Sequence, residues 1–181
     1  KELAIENGTS VLQPPQANAD ESLEQLREFK PDLFVVAAYG QILSADLLAI
    51  PRLGAINLHA SLLPKYRGAA PIQYAMICGE TETGVTIFQI EPKLDAGPVL
   101  GVIKTPNDDQ ETYGELQDRL ALLSVPLAQS VINGLEQGTC AALTQDGGSV
   151  TKAPRLQKTD GAIDCTKSAD RKSTRLNSSH V

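Results

Sequence analysis

The stretch from Leu33 to Ala38 is the feature that most restricts the fold of this chain. It contains no polar side chain and lies between Pro31 and the pair Tyr39-Gly40. A strand with one face in water alternates polar and apolar residues, whereas a parallel strand covered on both faces is apolar throughout. The stretch therefore predicts a buried parallel strand in an α/β protein.

Strand and helix patterns alternate along the rest of the chain. The expected strands cover residues 33–38, 54–59, 85–90 and 99–103. The expected helices cover residues 20–30, 44–50 and 71–78, with a long one from about 112. Pro126 should kink or divide that last helix. The order implies a Rossmann-like open, mostly parallel sheet with helices on both faces, whose ligand crevice lies beyond the carboxyl ends of the strands.

Composition excludes several classes of protein. Leu, Ile, Val and Phe make up 47 of the 181 residues, above the level of ~20% that is typical of disordered chains. The 16 basic and 22 acidic residues give a net charge of −6, which supplies no electrostatic footprint for nucleic acid. Three widely spaced cysteines predict neither a disulfide framework nor a zinc site and fit a reducing, intracellular setting. No apolar run approaches the ~18 residues of a membrane span.

Asn57 and His59 are two residues apart on the second expected strand, so their side chains leave the same face at the crevice. An amide donor and a titratable imidazole could together polarise a carbonyl and hold the oxyanion that forms on nucleophilic attack. The alternative is that Asn57 satisfies backbone groups and His59 is a hydrogen-bonded core histidine.

Two loops carry the other candidates. The first begins with Ser61, Leu62, Leu63 and Pro64, where the leucines, held by the proline, could wall a flat aromatic ligand or else cap the core. The second contains Asp95, which follows another strand expected to end at the crevice. Asp95 could be a base or only a turn residue.

A hydrolase triad is a rival interpretation of the same residues. Ser61, His59 and Asp95 are the residue types that such a triad uses. The strained GxSxG turn that presents the serine in one large class of hydrolases is absent, which disfavours this interpretation.

The candidate residues belong to three longer strings. These are Asn57-x-His59-x-Ser61-Leu62-Leu63-Pro64, Tyr66-Arg67-Gly68-Ala69-Ala70-Pro71-Ile72-Gln73 and Leu94-Asp95-Ala96-Gly97. In this order they closely resemble the 10-formyltetrahydrofolate-dependent formyltransferases, and the resemblance runs from about Lys1 to Asp170.

The resemblance implies direct transfer of a formyl group from 10-formyltetrahydrofolate to an amine, without a metal. Asn57, His59 and Asp95 match the catalytic residues of the family, and the stretch Ser61–Pro64 matches its folate-contacting loop. The implied roles are oxyanion stabilisation by Asn57 and His59 and proton movement by Asp95 through water.

The string from Arg67 to Gln73 resembles both the branch that acts on methionyl-tRNA in translation initiation and the formyltransferases of amino-sugar nucleotides. We expect the first, with folate and methionyl-tRNA as partners. A folate-binding fragment without turnover is a further alternative. The resemblance also implies a monomer that does not bind membranes, in the cytoplasm of a bacterium or in an organelle.

The opening βα segment and the C-terminal β-barrel of the family have no counterpart here. We therefore expect residues 1–170 to be a partial catalytic domain, with its start missing, its sheet incomplete at the N-terminal edge and its activity weak. Residues 171–181 contain three basic and no acidic residues and lack apolar spacing, which predicts a non-native, disordered tail.

Overall fold

A computed structural model describes residues 1–108 and 110–161 of the chain. The strands are β1 (Phe34–Ala37), β2 (Ala55–His59), β3 (Glu82–Gln89) and β4 (Val99–Pro106). The α-helices are α1 (Glu2–Glu6), α2 (Asp20–Glu28), α3 (Ala45–Leu48), α4 (Pro71–Ile77) and α5 (Tyr113–Glu136). Short 3₁₀ turns occupy Gly147–Ser149 and Lys158–Gly161. The expected tail at 171–181 lies outside the described residues.

The described strands form one open sheet in the order β1-β2-β3-β4, which confirms the Rossmann-like architecture. β1 and β2 are parallel, but β2 and β3, and β3 and β4, pair antiparallel. The expectation of a mostly parallel sheet is therefore corrected to a mixed sheet in this part of the chain. Residues 90–98 between β3 and β4 are too few for a parallel crossover, which needs a dozen or more residues.

Helices pack on both faces of the sheet, as predicted. The expectation that the first strand is buried on both faces is wrong, however, because the residues of β1 alternate between half-buried and exposed and Val35 is 49% exposed. On one face Val131 of α5 packs in a buried cluster with Ile56 of β2 and Ile87 of β3. On the other face Leu23 of α2 packs in a cluster that includes Phe34 of β1. Neighbouring residues of a strand point to opposite faces, so the residues on either side of Ile56 face away from α5.

The long helix α5 begins at a capping box. The Thr112 hydroxyl accepts from the Glu115 N–H while the Glu115 carboxylate accepts from the Thr112 N–H. The expected division at Pro126 does not occur, and the helix is continuous from Tyr113 to Glu136. Leu120 before the proline and Val131 after it are both buried, so the helix packs against the core on both sides of Pro126. No helix among the described residues is long and apolar enough to cross a membrane.

Gly84 of β3 allows a close approach that any side chain would prevent. A Cβ at this position would lie 2.0 Å from the Ile103 carbonyl oxygen on β4 and 2.7 Å from Cδ2 of Leu62. We expect Gly84→Ala to separate these groups and to lower the free energy of unfolding by about 1–3 kcal/mol. Chemical denaturation measures the change.

Gly114 in α5 offers the matched control. A Cβ there meets nothing within 4 Å, so Gly114→Ala should leave the free energy of unfolding unchanged or raise it. Equal effects of the two substitutions would contradict the close approach at Gly84.

Candidate active site

Asn57 and His59 share the face of β2 that points away from α5, as the sequence predicts. Asn57 lies opposite Phe88 of β3 and His59 opposite Thr86. Asn57 is half-buried, and its amide takes part in none of the side-chain hydrogen bonds found among the described residues. The amide is therefore free to bind a ligand group.

His59 is buried, with 5% of its surface exposed. Its Nε2 lies 2.9 Å from the Tyr66 carbonyl oxygen, and because a carbonyl can only accept, Nε2 carries the proton and donates it. Its Nδ1 lies 3.8 Å from Oδ2 of Asp95. A hydrogen-bonded core histidine would explain the bond from Nε2 to Tyr66. It would not explain why Nδ1 faces the carboxylate of Asp95.

Burial determines the charge of His59. Removal of the imidazole from water lowers its pKa below the usual 6.5, and the negative charge of Asp95 and the bond to Tyr66 offset this only in part. At pH 7 the ring is therefore neutral, with the lone pair of Nδ1 directed towards Asp95. In this state Nδ1 accepts a proton, and it donates one only after the ring becomes an imidazolium.

Tyr66 presents its carbonyl to His59 from a constrained backbone. Its φ of +62° lies in the left-handed region. Its N–H donates to Oγ1 of Thr151 at 2.8 Å, and its phenol donates to Oε1 of Glu80 at 2.6 Å. Burial and the bond to Glu80 raise the pKa of Tyr66, while hydrogen bonds from Tyr66 and Lys65 lower the pKa of Glu80. These contacts fix the position of the Tyr66 carbonyl, which accepts from Nε2 and so sets the tautomer of His59.

Asp95 reaches the site by a path that the sequence did not predict. The expectation that β3 ends at the carboxyl end of β2 is wrong, because β3 is antiparallel to β2 and ends with Gln89 beside Ile56. The loop after β3 comes back along the sheet face to bring Asp95 to His59. Asp95 has a φ of +46°, so it is a turn residue whose carboxylate also belongs to the site.

The backbone N–H of Gly68 fixes the carboxylate of Asp95, donating to Oδ2 at 2.7 Å. The loop after β2 thus holds the loop after β3 by a charge-assisted hydrogen bond. Gly68 has a φ of +128°, and a Cβ there would lie 2.5 Å from the Ala153 carbonyl oxygen. Only glycine fits at this point of the loop.

Ser61 does not form a hydrolase triad. It is fully buried, and its Oγ donates to the Lys65 carbonyl at 2.7 Å. Within the described residues no serine hydroxyl bonds to His59, whose two nitrogens face Tyr66 and Asp95. Ser61 instead closes the turn that carries the following leucines.

Thr86 of β3 holds the loop Ser61–Pro64 in place. Its Oγ1 donates to the Ser61 carbonyl at 2.7 Å and accepts from the Leu63 N–H at 3.1 Å. The Leu63–Pro64 peptide is cis, and Leu62, Leu63 and Pro64 are half-buried. The loop therefore combines a fixed backbone with apolar side chains that still reach the surface.

The segment after α5 also contributes to the site, although the sequence alone predicts no role for it. Nε2 of Gln145 donates to the Asp95 carbonyl at 2.9 Å, and Thr151 accepts from the Tyr66 N–H. Both contacts go to backbone groups, which any suitable donor or acceptor can satisfy. No spacing or motif marks such residues in a single sequence.

No group of three or more His, Cys, Asp or Glu side chains is placed to hold a metal ion in the part of the chain that the structure describes. His59 and Asp95 face each other as a pair, and Nε2 of His59 is engaged with Tyr66. The arrangement can accept a proton at Nδ1, hold a carboxylate beside it, and offer the Asn57 amide as a hydrogen-bond donor.

The chain belongs to the formyl transferase family, whose model matches residues 2–132. A methionyl-tRNA formyltransferase of Methylococcus capsulatus is 44% identical over 176 residues, which cover 97% of this chain and 57% of that protein. Another, of Pseudomonas syringae pv. tomato, is 47% identical over 170 residues, covering 94% of this chain and 54% of that protein. The chain thus spans about half the length of the curated relatives it matches.

Solved structures support the fold. An N-formyltransferase from Helicobacter canadensis, in complex with folinic acid and dTDP-3-aminofucose, superimposes with a TM-score of 0.80 at 20% identity over 97% of this chain and 62% of that one. HypX from Aquifex aeolicus, in complex with tetrahydrofolic acid, gives a TM-score of 0.76 at 16% identity over 87% of this chain and 27% of that one. At these identities the likeness establishes the shared architecture only.

The role of Thr86 can be tested with a nearly isosteric substitution. Thr86→Val removes the hydroxyl and leaves the Leu63 N–H and the Ser61 carbonyl without their partner. We expect the free energy of unfolding to fall by about 1–3 kcal/mol, measured by chemical denaturation.

Thr83 on the same strand is the control. It is buried, and its Oγ1 has no hydrogen-bond partner among the described residues. Thr83→Val should therefore leave the stability unchanged or increase it, and a loss equal to that of Thr86→Val would contradict the assigned role of Thr86.

Proposed function

We propose that this protein transfers a formyl group from 10-formyltetrahydrofolate to the amino group of methionyl-tRNA, in the cytoplasm of a bacterium and as a monomer. The identity of 44–47% to methionyl-tRNA formyltransferases over more than nine-tenths of the chain carries the proposal. The meeting of Asp95 with His59, on the face that also carries Asn57, supports it.

Asn57 and His59 have different roles in the proposed transfer. Attack of an amine on a formyl carbon places negative charge on the formyl oxygen, and the unpaired amide of Asn57 is a donor for that charge. Neutral His59 accepts the proton of the attacking amine on Nδ1. The imidazolium that results is a second donor to the oxygen, and Nε2 remains bonded to Tyr66 throughout.

Asp95 stabilises the charged form of His59 and completes the movement of protons. Its carboxylate beside Nδ1 favours the imidazolium, because opposite charges at this separation attract strongly in a buried site. The proton that His59 takes from the amine then passes from Nδ1 through Asp95 and water to the departing nitrogen of the donor, which leaves His59 neutral again. The Gly68 N–H holds the carboxylate in place for both tasks.

The loop Ser61–Pro64 fits the folate. Leu62 and Leu63 are half-buried apolar side chains on a backbone fixed by Thr86, as the wall of a flat aromatic ring requires. When bound, 10-formyltetrahydrofolate supplies the formyl group. The loop orients the donor and excludes water from one side of it.

The choice of acceptor is tested directly. We expect the protein to formylate methionyl-tRNA and not an amino-sugar nucleotide when 10-formyltetrahydrofolate is supplied with each. A preference for the amino-sugar nucleotide would contradict the proposed acceptor but retain the reaction. Folate binding with no transfer to either acceptor would instead support a binding fragment without turnover.

Asn57→Ala and His59→Ala should each lower kcat by about 10²- to 10³-fold, because each removes a group that acts on charge developing during the transfer. The affinity for the folate should change little. Single-turnover formyl transfer and folate binding, measured on the same preparations, separate the two effects. Near-normal turnover in either variant would refute its assigned role.

Leu62→Asp should instead affect the affinity for the folate. It places a carboxylate in the apolar wall and should weaken folate binding. Leu122 of α5 is 75% exposed, so Leu122→Asp is the matched control and should bind folate normally. Unchanged folate affinity in Leu62→Asp would remove the loop from the binding site.

A further inference from the structure

We propose that Gln145, on the segment after α5, is a positioning residue that holds the Asp95 loop over the sheet face and thereby sets the distance between Asp95 and His59. The inference rests on the proposed function, since it assigns Gln145 a part in formyl transfer. It concerns a residue that lies beyond the 2–132 range matched by the family model.

The side-chain amide of Gln145 uses its full hydrogen-bonding capacity at this point. Its Nε2 donates to the carbonyls of Asp95 at 2.9 Å and of Gly97 at 2.8 Å. Its Oε1 accepts from Nε of Arg67 at 3.2 Å and from Nη2 at 2.6 Å. Carbonyl groups only accept and a guanidinium only donates, so the orientation of the amide is fixed.

These bonds close a ring around Asp95. Gly68 donates its N–H to the Asp95 carboxylate, Gln145 donates to the Asp95 carbonyl, and Arg67, covalently joined to Gly68, donates to Gln145. The carboxylate of Asp95 is thus bonded directly to the dipeptide Arg67-Gly68 in the loop after β2. The main-chain carbonyl of Asp95 is connected to the same dipeptide through Gln145.

The Asp95 loop needs such an external support. It lies back over the sheet because β3 runs antiparallel to β2, and Asp95 has a φ of +46°, a conformation that costs a non-glycine residue about 1–2 kcal/mol. The preceding residues 91–94 are exposed. Gly97 is packed so closely on the chain that a Cβ would lie 1.8 Å from the Gln89 carbonyl oxygen.

The segment that carries Gln145 is itself anchored on both sides. Before Gln145, Leu143 and Val99 exchange two backbone hydrogen bonds of 2.8 Å. After it, the N–H of Ala153 donates to the Arg67 carbonyl at 2.8 Å. Gln145 therefore projects from a fixed backbone, as a positioning residue must.

The test uses the imidazole of His59 as a reporter of the position of Asp95. Among the described residues Asp95 is the charged group that faces His59. The neighbours on β3, Thr86 and Phe88, are not ionisable, and Tyr66 contributes its carbonyl. Gln145→Met has similar length and no charge, so it can change the pKa of His59 only by moving its surroundings.

The experiment is an NMR titration of His59 in the full chain. The sequence holds two histidines, His59 and His180, and a His180→Gln background leaves a single imidazole. Asp95→Asn gives the reference, because loss of the carboxylate should lower the pKa of His59. We expect Gln145→Met to lower it by at least half as much, and Gln117→Met, at an exposed position of α5, to leave it unchanged.

A second variant, Gln145→Asn, keeps the proposal testable if Gln145→Met does not fold. Gln145→Asn retains the amide but is one methylene shorter, so it cannot span Arg67 and both carbonyls, and it should lower the pKa of His59 in the same direction. An unchanged pKa in either folded variant, when Asp95→Asn lowers it, would overturn the proposal. So would a pKa unchanged by Asp95→Asn itself.

Formyl transfer provides the second readout. Because a displacement of ~1 Å can cost on the order of a hundredfold in rate, Gln145→Met should lower kcat by at least tenfold, with KM for 10-formyltetrahydrofolate within about twofold of the unsubstituted protein. If the unsubstituted protein transfers no formyl group, the proposed function fails, and the titration of His59 still decides the role of Gln145.

Discussion

The antiparallel pairing of β3 with β2 is the constraint on which the site depends. It carries the chain to the amino end of β2, so Asp95 meets His59 only because the following loop returns over the sheet face. A returning loop has no ladder of its own to hold it. The N–H of Gly68 and the amide of Gln145 supply that support. Through the bond to Gly68, the loop after β3 is held against the loop after β2.

Backbone groups do most of the positioning in this site. The Tyr66 carbonyl sets the tautomer of His59, the Gly68 N–H holds the Asp95 carboxylate, and the Leu63 N–H ties the loop Ser61–Pro64 to Thr86. Backbone groups are present at every position, so their placement depends on the path of the chain. The left-handed φ values of Tyr66 and Asp95 show how unusual that path is.

The sequence predicts those features that follow from local spacing. The period of a strand puts Asn57 and His59 on one face, and the helix pattern predicts that α5 begins near Thr112. The resemblance of three short strings indicates the family. The direction of β3 is not encoded in its apolar pattern, which is the same for parallel and antiparallel pairing in a buried strand. Gln145 escapes notice because its partners are carbonyls, which leave no signature in the sequence.

The position of Thr86 restricts the register of β3. A strand that slips by two residues keeps its alternation of faces, but a slip of β3 would put Glu82 or Thr86 at the place beside Ile103 and Leu62 where Gly84 fits. The same slip would put Gly84 or Phe88 in the place of Thr86, and neither has a hydroxyl to bind the loop Ser61–Pro64. Overall helix and strand content would be nearly the same in both registers. It is the close packing at Gly84 and the hydroxyl of Thr86 that specify the register of β3.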